Sequence, residues 1–209
     1  MTTNENKAKG FTLLELLIVI AILAILSVAL VLILNPTETL RKSRDSQRMS
    51  DLATMKTALG LYLTTVTPPV LDGGTNTLCI GGTGNDTIFY SGAVTGGTPI
   101  GTFWLGSTTG TGVNGNDGWL PVDLGAISGG SPISNLPVDP TNTVDVGTAP
   151  TSADLVYRYA CNNTNTTFEI NAVLESDELS GNMATDGGDN ANYYEVGSLL
   201  TTLPAGTAF

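Results

Sequence analysis

Glu15 is the side chain whose type and position most demand a chemical explanation. It is the only charged residue between Gly10 and Asn35, and Leu16 to Leu34 is apolar throughout except for Ser27. A carboxylate inside a membrane span costs ~2.5–3.5 kcal/mol on insertion scales, so a chain that keeps one needs a partner for it. A break between Gly10 and Phe11 would supply that partner. The new α-amino group of Phe11 would be a cation four residues from Glu15, ~6 Å along a helix axis. A small axial stagger between two copies would then bring one copy's amine to the other's carboxylate.

Other reactive combinations are missing or spaced differently. Histidine is absent from all 209 residues, which removes Ser-His-Asp and Cys-His catalysis and the usual zinc and haem ligands. No phosphate-binding glycine motif is present either, so an enzyme is not expected. Cys79 and Cys161 lie far apart, which suits a structural disulfide in an oxidising compartment better than a closely spaced redox pair. Asp177, Glu178, Asp186, Asp189 and Glu195 crowd a glycine-bearing stretch from Glu175 to Glu195. Calcium takes six to eight oxygen ligands, and flexible glycines let a loop wrap them. One Ca2+ site over these five acids is the expectation, set against a merely solvated acidic loop. Gly115-Asn116-Asp117-Gly118 lacks the acid spacing of a calcium-binding hand and reads as a turn.

The elements that must carry these residues follow from pattern and charge. Residues 1–10 are a short polar leader with Lys7 and Lys9. Residues 11–34 are long enough to cross a hydrocarbon core of ~30 Å as a helix. The run is too long for a signal-peptide core and ends on a poor cleavage site. A plain signal anchor fits its length but leaves Glu15 unexplained. Asn35-Pro36-Thr37-Glu38 supplies a cap, a first-turn proline and a glutamate three residues on, the pattern of a kink or helix restart. The helix then continues over 35–66, where Leu52, Met55, Leu59, Tyr62 and Val66 recur at 3-4-3-4 spacing, the face that packs on a sheet. Its first half is polar, and Arg41, Lys42, Arg44 and Arg48 face either acidic surface of neighbouring copies or solvent and lipid headgroups.

Residues 67–209 form an exported head. The net charge is −11, and after residue 60 Arg158 is the only cation against fourteen acids. Such a head does not bind nucleic acid by itself, because phosphate contacts need clustered Lys and Arg. The basic flank after the span exceeds the leader in charge, which by loop counting alone would place the C-terminus in the cytoplasm. The acidic, cysteine-paired remainder argues for the opposite orientation. Within 67–135 Gly, Thr, Asn and Ser dominate, with strand-like pieces at Thr87–Tyr90 and Gly101–Leu105 between turn signals. Within 136–209, Leu155–Cys161 and Thr167–Leu174 alternate like an antiparallel hairpin. Asn85, Asn162 and Asn165 each begin an Asn-x-Ser/Thr triplet and read as turn residues.

Lys9-Gly10 followed by Phe11-Thr12-Leu13-Leu14-Glu15 and an apolar helix resembles the cleavage and assembly motif of type IV pilins and type II secretion pseudopilins. Further along, Arg44-Asp45, Ser50-Asp51-Leu52, Ala58-Leu59 and Tyr62 are similar to the short bacterial pilins and the major, G-type pseudopilins. Leu136-Pro137-Val138-Asp139-Pro140 resembles the element that precedes a sheet strand in the latter. The tyrosine that usually precedes proline near the helix end is replaced here by Thr67 before Pro68-Pro69.

The resemblance implies an α+β fold, a long N-terminal helix packed on a small C-terminal antiparallel sheet with a loop-rich insertion. It implies cleavage after Gly10 by a prepilin peptidase, methylation of Phe11, and polymerisation through Phe11 and Glu15 with an inner-membrane assembly platform. G-type pseudopilins also carry a calcium site in their C-terminal loop. The expected product is a homo-oligomeric helical filament, held as a single-pass inner-membrane protein with its C-terminus outside and then exported to the cell surface. The expected role is a structural pilus subunit. The alternatives are a major pseudopilin of a secretion system or a minor, tip-located binding module.

Overall fold

The structure, a computed structural model, describes residues 10–92, 99–100, 103–106, 110–144, 150–151 and 153–203. Nine of the ten leader residues therefore lie outside the described residues, as do Gly101 and Thr102 of one expected strand. The chain divides into two compact units, one ending at Leu40 and the other beginning at Arg41.

The first unit is built on α1, Leu13–Leu34. Its 22 residues give ~33 Å of helix at 1.5 Å per residue. Thr12 caps the start, and Asn35, in the left-handed conformation at φ 36°, ends it. α2, Pro36–Thr65, starts at the next residue. The Asn35 side chain accepts from the Glu38 backbone N–H at 3.4 Å, so the expected break and restart is present. Its basis is the αL tolerance of asparagine and the fixed φ of proline at a first helical turn.

The second unit is a six-stranded sheet with α2 against one face. The strands are β1 Thr87–Tyr90, β2 Pro99–Ile100, β3 Phe103–Leu105, β4 Arg158–Asn162, β5 Thr167–Ala172 and β6 Tyr194–Gly197, in spatial order β2-β3-β1-β4-β5-β6. The hairpin expected from the alternating pattern is β4–β5, with Tyr159 opposite Ile170 and Cys161 opposite Phe168. Asn162 organises its turn by accepting from the N–H groups of Thr164 and Asn165.

One expectation needs correction. The sheet is mixed rather than antiparallel, because β1 pairs with β3 in parallel, Thr87 opposite Trp104. A parallel pair needs a crossover rather than a tight turn, and the Gly/Thr-rich stretch supplies that length of chain. The stretch read as a loop-rich insertion thus provides half of the strands, and β1 lies at the centre of the sheet.

The helix stripe does what its spacing predicts. Leu52, Met55, Leu59 and Tyr62 are buried, joined by Ala58, with Val66 packed at the edge. They meet Phe89, Tyr157, Tyr159, Phe168, Ile170 and Val196 from alternate positions of the strands. Trp119, Leu120, Val122 and Leu124 from the long connection close the same core. The opposite face of the sheet is also covered. Ile88, Tyr90, Phe103, Leu105, Ala160, Tyr193 and Leu203 form a second, smaller cluster.

Cys79 and Cys161 form a disulfide across a sequence separation of 82. It fastens the segment after α2 onto β4, where the Ile80 N–H also donates to the Cys161 carbonyl at 2.8 Å. Closing a loop of that length stabilises by about 4–5 kcal/mol on the chain-entropy account.

Candidate functional site

Phe11 and Gly10 lie exposed ahead of α1, and nothing approaches within 4 Å of the position a Gly10 Cβ would take. Thr12 adopts an extended conformation and caps the helix, its hydroxyl accepting from the Glu15 N–H at 3.2 Å. Glu15 returns the contact: its Oε2 accepts from the Thr12 N–H at 3.1 Å and from the Thr12 hydroxyl at 2.9 Å. This reciprocal capping box satisfies two groups at a helix end that has no preceding turn. It also points the carboxylate toward the N-terminal end of the helix, the end that carries Phe11.

Behind that polar end, the described side chains of α1 from Leu13 to Leu34 are all exposed. Among the described residues, this is the one helical region long and apolar enough to cross a membrane. Ser27 is the only polar interruption after Glu15, and its hydroxyl bonds back to the Leu23 carbonyl at 2.7 Å. A helix apolar all round and unburied must be covered by lipid or by other protein.

The basic half of α2 behaves otherwise than its sequence suggests. Arg48 and Asp45 are fully buried. Arg48 grips Asp139 through Nε and Nη2 at 2.7 and 3.0 Å, and through Nη1 it reaches Asp45 and Glu175, each at 2.7 Å. Asp45 in turn accepts from the backbone N–H groups of Glu175 and Ser176. Arg44 forks onto both oxygens of Glu175 at 2.9 and 3.1 Å. Burial pushes the Glu175 carboxyl upward, but the bonds from Arg44 and Arg48 outweigh it and leave the pKa below its usual value. Lys42 pairs with Glu178 at 2.6 Å on the surface. Lys42, Arg44 and Arg48 are therefore engaged by acids of their own chain, and Asp139 of the Leu-Pro-Val-Asp-Pro element is the anchor for Arg48.

The five acids expected to hold calcium are divided. Glu178 is taken by Lys42, and Asp177 neighbours it at the start of the loop. Asp186 and Glu195 belong to the far end, where the Asp186 carboxylate accepts from the Gly188 and Glu195 N–H groups. Glu195 Oε2 accepts from the Asn190 N–H at 3.0 Å. Asp189 acts on Glu195 through its charge. Among the described residues no three His, Cys, Asp or Glu side chains are grouped to hold a metal ion. The set does not fit one cation shell, and none of the five is assigned as a metal ligand. Sequence reasoning also missed Glu169, buried on the sheet, which carries no motif.

An exposed apolar helix with a self-capped glutamate at its start has the make-up of a prepilin-type N-terminus. Comparison with known families points the same way: residues 6–31 match the model for the prokaryotic N-terminal methylation motif, the signature of type IV pilins and pseudopilins. Proteins carrying that motif are structural rather than catalytic. No curated protein and no solved structure matches the chain.

Proposed function

We propose that this chain is the structural subunit of a type IV pilus-like extracellular filament, cut after Gly10 by a prepilin peptidase and polymerised through α1. The observation that carries the reading is the placement of Glu15. It is the one acid on an otherwise apolar, uncovered helix, and it sits one turn from the amine that cleavage would create at Phe11. In lipid the capping box lowers the cost of keeping that carboxylate. On assembly the Phe11 amine of a neighbouring copy neutralises it, and α1 exchanges lipid for the α1 helices of other copies. Repetition of one such heterologous contact builds an open helical fibre rather than a closed ring. The head faces outward, and the C-terminus lies on the outer side of the inner membrane before assembly.

A second reading, the major pseudopilin of a type II secretion system, is favoured by the Leu136–Pro140 element and the stretch from Arg44 to Tyr62 that resemble that lineage. The two readings share their processing and differ in where the polymer accumulates. The test is Glu15→Val expressed beside the unaltered chain. Normal insertion and cleavage with filament yield reduced by about tenfold or more, the equivalent of ~1.4 kcal/mol per subunit contact, is the expected result. Undiminished assembly by the variant would remove the ion-pair argument.

A further inference from the structure

The three Asn-x-Thr triplets of the head are not equivalent in the structure. Asn162 is spent on its turn, where its side-chain oxygen accepts from the N–H groups of Thr164 and Asn165. Asn85 and Asn165 are exposed. Of the three, Asn85 lines a groove of about 160 Å³, whose apolar walls are Leu78, Phe89, Trp104 and Leu105. Leu78 is exposed and Trp104 is half-buried, so the groove presents apolar surface beside an accessible amide.

The backbone fixes that juxtaposition. The carbonyl of Asp86, the next residue, accepts from the Trp104 N–H at 2.7 Å, and the Thr87 N–H donates to the Leu78 carbonyl at 3.0 Å. On the other side, the Gly84 N–H donates to the Thr77 carbonyl at 2.8 Å. The Gly81 N–H closes the turn onto the Asp86 carboxylate at 3.1 Å, and the disulfide at Cys79 ties the same segment to β4. Asn85 is therefore held at the rim of the groove by contacts before and after it. An asparagine followed two residues later by threonine is the acceptor pattern for an N-linked sugar. A sugar ring also suits the groove, since its C–H face can cover an indole while its hydroxyls stay in water. Covering Leu78 and Trp104 removes apolar area from solvent, which is favourable in proportion to that area.

We infer that Asn85 carries an N-linked saccharide whose first ring lies in the groove and covers Trp104. The donor is a sugar carried on a polyprenyl diphosphate. A bond forms between Asn85 Nδ2 and the anomeric carbon of the sugar, and the bond from that carbon to the phosphate oxygen breaks. The lipid diphosphate leaves, and the amide proton passes to a base of the transferring enzyme. Thr87 is buried in the folded head, so transfer precedes the closing of β1 onto its neighbours. The inference rests on the proposed outward placement of the head, the side on which acceptor and donor meet.

The test is the intact mass and peptide map of the full chain recovered from its own cells, beside Asn85→Gln and Thr87→Ser made in the same cells. The expected mass exceeds that of the polypeptide by a saccharide, which fragmentation locates at Asn85. Asn85→Gln should lose it, and Thr87→Ser, which keeps an acceptor hydroxyl, should retain it. Tryptophan fluorescence should be quenched by acrylamide more readily in Asn85→Gln, a gain that reports Trp104 because Trp119, the other tryptophan, is buried. A bare polypeptide mass would overturn the inference. An oxidised Cys79–Cys161 pair in that bare chain would leave the outward placement standing, whereas free thiols would remove both. A saccharide at Asn165 alone, or equal quenching in the glycosylated chain and Asn85→Gln, would overturn the part given to the groove.

Discussion

α1 and the sheet-bearing head solve opposite problems with the same kinds of residue. The head covers both faces of its sheet, and a fully buried charge, Arg48, is met by three carboxylates within the chain. Among the described residues the side chains of α1 are exposed, and its acid bonds to its own cap. The difference teaches where each region's stability resides. The head closes its interactions internally, whereas α1 leaves its free energy to whatever surrounds it, lipid first and other copies afterwards.

Several substitutions would break or sharpen that contrast. The largest effect on the head should come from Arg48→Ala, which strands Asp45 and Asp139 without a cation. Removing one partner of a buried ion pair costs roughly 3–5 kcal/mol, and thermal unfolding followed by circular dichroism should show a matching drop. An unchanged melting temperature would mean that the network is not closed in the way described. Replacing Cys79 and Cys161 with serine together should cost about 2–5 kcal/mol, read by the same melt and mimicked by reductant. Thr12→Val removes the cap of α1 for about 0.5–2 kcal/mol of helix stability. The head melt should not move, because the contact lies wholly in the first unit; a shift there would erase the distinction between the regions. Lys42→Ala breaks only an exposed pair and should change stability by less than about 1 kcal/mol.

The contrast extends to pH. Glu175 has a lowered pKa, so its bonds to Arg44 and Arg48 contribute above its unperturbed value of 4.5 and weaken as acid is added below it. That loss is confined to the head and should appear as an acid-side fall in melting temperature that Glu175→Gln abolishes.

Much of this was legible in sequence where a period was strong. The stripe from Leu52 to Val66, the β4–β5 hairpin and the capped restart at Asn35 all follow from local pattern. The buried ion network was readable too, by extending the stripe. Asp45 and Arg48 continue the 3-4 spacing back from Leu52, so their burial follows from the same face, hidden only because polar residues read as solvent-facing. Glu169 and Asn171 were obscured for another reason. Alternation in β5 marks them as outward, and the segments that cover them, around Tyr193 and Leu203, arrive from later in the chain. The parallel β1–β3 pairing likewise depends on a crossover that carries no period of its own. The calcium expectation rested on acid density, loop glycines and a family resemblance, and none of these fixes which carboxylates converge.

The account stands on the open bond between Gly10 and Phe11. The most direct measurement is the intact mass and N-terminal peptide of the protein recovered from sheared cell surface and from membranes. A chain beginning at methylated Phe11 and abundant in the sheared fraction is the predicted result. The same processed chain confined to membranes would favour the secretion pseudopilin, and a chain that still begins at Met1 in both fractions would contradict the central claim.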